Sequence, residues 1–221
     1  MVVIAWADSA LYNSEGELVE NDEELAKYDK HKVHSQAGAL VGMMNQADLE
    51  KTGDLPVSVL DWRSRATKRV VTSTFAAESA AAADGLGLAL FLRALIAEVY
   101  HGNALLPTEW DEDVIPTKIV VDCKSLFDNM CKEASVPDDR WTAIYIAQLR
   151  CAVSAGPGRR EDRTEMLWVP SRCQLADGLT KKGLGDRIRS LAMDGVVRLH
   201  EVSEQELRRR KAQKAPLFSC Q

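Results

Sequence analysis

The chain has 221 residues, 46% of them hydrophobic and 28% charged, with a formal net charge of −5 at pH 7. That suits a globular protein of one large domain, or one domain with a tail, able to bury a proper core. The acidic balance argues against a plain basic nucleic-acid binder, and five cysteines (123, 131, 151, 173, 220) without a CxxC pair exclude a zinc ribbon or a disulfide frame. They read as reduced thiols of an intracellular protein, cytoplasmic or nuclear.

The opening "MVVIAWADSA" has no basic n-region and carries Asp8, so it is not a secretory signal. Residues 2–8, "VVIAWAD", are apolar on both faces, as a strand covered on both sides would be. Residues 12–34 are polar and acidic and read as an exposed insertion. "SQAGALVGMMN" (35–45) and "LPVSVLDWRS" (55–64) predict two further strands, completing an antiparallel meander.

"STFAAESAAAADGLGLALFLRALIAEVYHG" predicts a long helix, capped by Ser73 or Thr74 and stopped by Gly102. Its stripe of Ala81, Ala82, Gly85, Leu88, Ala89, Leu92 and Leu95 keeps helical spacing, and the small residues let it lie close to a sheet. Its most apolar run, "LGLALFLRALIA", contains Arg93 and is shorter than a membrane span, so no membrane partner is expected. A linker (103–116) leads to a strand at 117–122 and a helix near 124–134. "DDRWTAIYIAQLRCAV" predicts another helix, "TEMLWVP" a strand, and "SRCQLADGLTKKG" an irregular segment entering a helix. Residues 1–183 therefore read as one α/β domain, with 184–221 a helical extension and basic tail.

This order, a three-strand meander followed by helix, strand, helix, helix, strand and helix, implies a mixed sheet with helices on both faces. A right-handed crossover would set strand 117–122 beside and parallel to strand 2–8. Both end on an aspartate, Asp8 and Asp122, and parallel neighbours end at the same edge. Alone, Asp122 reads as the cap of the next helix. Glu78, in the first turn of the long helix on its small-residue stripe, points toward the sheet and needs a cation or donor there. Asp177, in "QLADGLTKK", stands at the mouth of a late helix. Carboxylates crowded at about 4 Å repel by roughly 4 kcal/mol per pair at an effective dielectric of 20. Hard divalent cations resolve such crowding.

"ADSA", "VSVLDWRSRATKRVV", "TSTFAAESAAAA", "IVVDCKSLFDN" and "LWVPSRCQLADGLTK" occur in an order and spacing that resembles the ribonuclease H domain of copia-type retrotransposon polyproteins. The resemblance runs from about residue 4 to residue 183. It implies a ribonuclease H-like fold with a mixed five-stranded sheet, and hydrolysis of the RNA strand of RNA/DNA hybrids. It implies an acidic tetrad of Asp8, Glu78, Asp122 and Asp177 holding two Mg²⁺, for which Mn²⁺ can substitute. A reverse transcriptase domain of the parent polyprotein is the implied protein partner, making the chain an excised domain or a stand-alone descendant. The chain departs from the family in having Ser171, Arg172 and Cys173 where many members carry a histidine, and Ala10 where a second acid is common. Two alternatives stay open: an inactive, domesticated module binding nucleic acid or protein, and a DNA-acting nuclease or transferase of the same fold.

Basic residues supply the substrate side. Arg63, Arg65, Lys68 and Arg69 cluster before Glu78, Lys181 and Lys182 follow Asp177, and Lys124 and Ser125 follow Asp122. Such groups bind phosphates without reading sequence; each reads equally as a solvated rim. Trp62, Trp141 and Trp168 are expected in the core rather than stacked on bases. His31 and His34 read as loop histidines rather than ligands.

Overall fold

The computed structural model describes residues 1–12, 34–49, 51, 55–67, 69, 71, 73–102, 115–132, 136–153, 164–181, 183–197 and 199. The acidic insertion, Lys68, Lys182, His31, His200 and the tail from 200 onward lie outside the described residues.

Strands β1 (Val2–Tyr12), β2 (His34–Met44), β4 (Ser58–Ala66), β5 (Thr117–Val121) and β6 (Thr164–Trp168) form one sheet in the order β4-β2-β1-β5-β6. The first three are antiparallel, and β5 and β6 join parallel to β1. This is the mixed five-stranded arrangement expected from the element order. The third expected strand is divided, however. β3 (Leu55–Pro56) pairs with β7 (Val196–Val197) in a separate ribbon, and only β4 enters the main sheet. The β2–β4 register shifts between Val41 and Gly42.

Period-two alternation along β1 builds two cores. Val3, Ala5 and Ala7 face α1 (Thr74–His101), α2 (Lys124–Met130) and α3 (Arg140–Val153). Val2, Ile4 and Trp6 face the other way, into a cluster with Ala176, beside the short α4 (Asp177–Thr180), with Leu191 of α5 (Gly185–Asp194), and with Val57, Val197 and Leu199. Helices thus cover both faces, and beyond residue 183 Ile188, Leu191, Val197 and Leu199 pack on the second.

α1 is the central helix. Ser73 caps it by accepting from the Ala76 N–H, and Gly102 ends it in the left-handed conformation at φ 71°. A Cβ on Gly85 would sit 3.0 Å from the Ala7 Cβ, so the small stripe sets the close approach of helix and sheet. The stripe fails at its end: Leu95 is 47% exposed, and Arg93 is buried instead. Arg93 donates to the Thr117 and Thr164 hydroxyls at 3.4 Å, which spares a buried guanidinium an unpaired site. By length and composition α1 could cross a membrane, contrary to the shorter run counted in the sequence. Here its apolar character is used against β1, β2 and β5.

Of the described cysteines, Cys123, Cys151 and Cys173 are free, whereas Cys131 is disulfide-bonded, which corrects the expectation of reduced thiols throughout.

Candidate metal centre

The parallel register pairs Trp6 with Val120, two residues short of each aspartate, so Asp8 and Asp122 stand level with one another; Asp122 follows the end of β5, whereas β1 runs on to Tyr12 and Asp8 lies within it rather than at its end. Asp122 does not cap α2. Cys123 occupies that position, with no side-chain hydrogen bond, and the Asp122 carbonyl accepts from Trp168 Nε1 at 3.0 Å. The bland reading of Asp122 is thereby removed and its carboxylate is left to the sheet edge.

Glu78 arrives from the α1 side. It lies in the second turn of the helix, not the first, and is 6% exposed. One carboxylate oxygen of each of Asp8, Glu78 and Asp122 lies within 4.8 Å of the others. Asp177 stands outside this trio. It is buried on the opposite face at the start of α4, and its Oδ1 accepts from Lys181 Nζ. The same ammonium is 3.8 Å from Asp8 Oδ1. The structure therefore brings together three of the four expected acids and joins the fourth to them through a lysine.

Strand alternation explains the neighbours. Ser9 faces α1 with Ala7, and its hydroxyl donates to Glu78 Oε1 at 3.0 Å. Asp8 faces α4, where the Thr180 hydroxyl donates to its Oδ2. Gly38 on the neighbouring strand makes this approach possible: a Cβ there would lie 2.7 Å from Thr180 Cγ2 and 3.2 Å from the Ala176 carbonyl. Gln174, fully buried, ties the segment before α4 to β1 by donating to the Ala7 carbonyl at 2.8 Å. None of Ser9, Gly38, Gln174 or Thr180 carried a role in the sequence. Thr180 and Gln174 sit inside the "QLADGLT" string, which was the available signal.

The electrostatics are those of crowded, buried carboxylates with a single ammonium beside them. Burial, with the charges of Asp8 and Asp122, pushes the Glu78 carboxyl up to about 8. Burial pushes Asp8 up to about 7, against the opposing pull of Thr180 and Lys181. Partial burial disfavours the Lys181 charge, yet the bond to Asp177 and the nearby charges of Asp8, Asp177 and Asp122 hold its pKa above the lysine norm. Glu78 Oε2 is buried with no hydrogen-bond partner. All the acids offer hard oxygen donors, and an orphaned carboxylate oxygen beside two more carboxylates fits a hard divalent cation.

The expected phosphate contacts are dispersed. Arg65 pairs with Asp84 at 2.6 Å, Arg63 lies 3.8 Å from Asp61, and Lys124 pairs with Asp128 at 2.8 Å. Ser125 is exposed, with its hydroxyl 3.2 Å from Cys123 Sγ. The Arg69 guanidinium stacks on the Trp141 ring at 3.4 Å. Trp141 and Trp62 are 48% and 59% exposed, so neither is the core residue expected; among the described residues the fully buried tryptophan is Trp6.

No family model matches the chain, and no curated protein sequence matches it. Two solved structures are similar to it. One is LC11 ribonuclease H1, isolated from compost by a metagenomic approach: 12% identity, 85% of this chain, 98% of that chain, TM-score 0.45. The other is LC9 ribonuclease H1, described as a type 1 enzyme with the type 2 active-site motif: 15% identity, 90% of this chain, 86% of that chain, TM-score 0.37.

Proposed function

We propose that the chain is a metal-dependent ribonuclease H that hydrolyses the RNA strand of RNA/DNA hybrids, descended from a copia-type retrotransposon polyprotein. The observation that carries this reading is the meeting of Asp8, Glu78 and Asp122 at one sheet edge, with Glu78 Oε2 buried and unpartnered. A purely structural cluster gains nothing from a buried carboxyl oxygen with no partner, which is costly to keep whether the group is ionised or protonated. The ordered motifs, ending in Gln-Leu-Ala-Asp-Gly-Leu-Thr-Lys at 174–181, support the family reading.

Asp8, Glu78 and Asp122 would hold the ion, Mg²⁺ or Mn²⁺, with Asp177 contributing to a second position. Bound there, divalent ions supply positive charge at the scissile phosphate and lower the pKa of water beside it. The chain's own residues orient the carboxylates. Ser9 donates to Glu78 Oε1 and leaves Oε2 without a partner; Thr180 holds Asp8 Oδ2. Asp122, half-exposed, is the member of the trio nearest solvent, where a phosphodiester would arrive. The exposed Arg69–Trp141 stack offers charge and an aromatic face to a nucleic acid without reading its sequence.

The test is cleavage of an end-labelled RNA/DNA hybrid in Mg²⁺, beside single-stranded RNA and duplex DNA. Hybrid RNA should be cut, and Asp122→Asn, which keeps the side-chain shape, should abolish cutting while leaving the melt cooperative. Full activity of that variant would refute the site. Cutting of duplex DNA alone would move the assignment to a DNA nuclease. No cutting by folded protein would move it to a binding module.

A further inference from the structure

The two sides of the carboxylate cluster are not equivalent. On the α1 side, Asp8, Glu78 and Asp122 come together and Ser9 donates to Glu78 Oε1 alone, so Glu78 Oε2 has no hydrogen-bond partner and no cation among the described residues. On the α4 side a cation is already present. Lys181 Nζ bonds Asp177 Oδ1 and lies 3.8 Å from Asp8 Oδ1, while Thr180 occupies Asp8 Oδ2. The lysine is attached at a loose point. It follows the four-residue α4 as its C-cap, its side chain is 40% exposed, and Gly183 at φ 82° turns the chain just beyond. An ammonium so placed neutralises the pair Asp8–Asp177 in the resting protein, yet has an open route to solvent.

We infer that Lys181 is a tethered counter-ion occupying the second cation position, so that the protein alone takes one divalent ion, at Asp8, Glu78 and Asp122. The second ion enters between Asp8 and Asp177 only when the ammonium swings out. A nucleic-acid phosphate arriving at the sheet edge is the natural anion to receive it, because it offers Lys181 a replacement for Asp177. Loading of the second ion is thereby coupled to substrate, and the resting site is protected from adventitious full occupancy. This inference rests on the reading of the cluster as a metal centre.

The experiment counts Mn²⁺ bound to the full chain without nucleic acid, by electron paramagnetic resonance of the free ion, in wild type, Lys181→Met and Lys181→Arg. Wild type should bind one ion, with the second at least about tenfold weaker; Lys181→Met should tighten the second by about tenfold or more, since a positive charge roughly 4 Å away is removed. Lys181→Arg should keep the block. Two equal ions in wild type, or no change in the Met variant, would overturn the counter-ion role while leaving the metal centre standing. No ion in any of the three would overturn both. Should Lys181→Met fail to fold, wild type itself decides. Amine-reactive labelling of Lys181 should be slow without metal and faster once a second Mn²⁺ is bound; equal rates would refute the displacement.

Discussion

Glu78→Gln should make the metal-free protein more stable, and more so at pH 8 than at pH 5. The glutamate is 6% exposed, and its carboxyl is pushed up to about 8 from 4.5. A raised folded-state pKa gives a contribution fully present below about 4.5 and lost as pH rises through about 8. Keeping Glu78 in the fold then costs about 4 kcal/mol at pH 8 and under about 1 kcal/mol at pH 5. Gln keeps an oxygen for the Ser9 hydroxyl and gains an amide donor that faces the Asp8 and Asp122 carboxylates. After the desolvation of the amide, a net gain on the order of 2 kcal/mol is expected at pH 8. That corresponds to a rise of roughly 4–8 °C in Tm for a chain of this size. The assay is a pair of thermal melts in EDTA at each pH, repeated with Mn²⁺, where the order should reverse because only wild type has all three ligands. Equal or lower stability of the variant at pH 8, or the same gain at both pH values, would refute the account of Glu78 as an unneutralised ligand.

Gly38→Ala should cost about 2 kcal/mol or more by driving α4 from β2, read by urea unfolding, and should weaken Mn²⁺ binding through the displaced Thr180–Asp8 contact. Thr180→Val removes the bond that lowers the Asp8 pKa, so in the metal-free protein the Asp8 carboxyl should titrate at higher pH, read by carboxyl-carbon NMR in EDTA; an unmoved titration would show that Thr180 does not tune Asp8. Trp141→Ala should weaken hybrid binding by about 1 kcal/mol, measured by fluorescence anisotropy, with cleavage at saturating substrate nearly unchanged.

The sheet and the convergence of Asp8 with Asp122 were legible because both follow from local pattern and one topological rule. Two apolar runs each end on an aspartate, and a right-handed crossover lays them side by side. Glu78 was legible from its stripe, since Ala81, Ala82 and Gly85 could face only a closely packed sheet. Features that depend on which element covers which face were not legible. Ser9 and Thr180 look like ordinary polar residues until the alternation of β1 assigns one to Glu78 and the other to Asp8. Leu191, Val197 and Leu199 share the second core only because β7 returns to pair with β3, a contact between segments about 140 residues apart in sequence. Trp141 and Trp62 read as core by residue type, but the edges of the sheet and of α3 leave them exposed.

The position of Lys181 shows why composition alone misleads about such a site. Read along the chain, it is one more basic residue after an acid and a plausible phosphate contact. In the fold, the short α4 returns its ammonium to the acids that β1 and α4 bring together, so the same residue first serves the protein's own charge balance. The two roles are sequential rather than exclusive, because the ammonium leaves Asp177 only for another anion. A site with four carboxylates and a net-acidic chain around it attracts cations but repels a polyanionic substrate. A lysine that is held among the acids until the substrate arrives answers both requirements at the same atom.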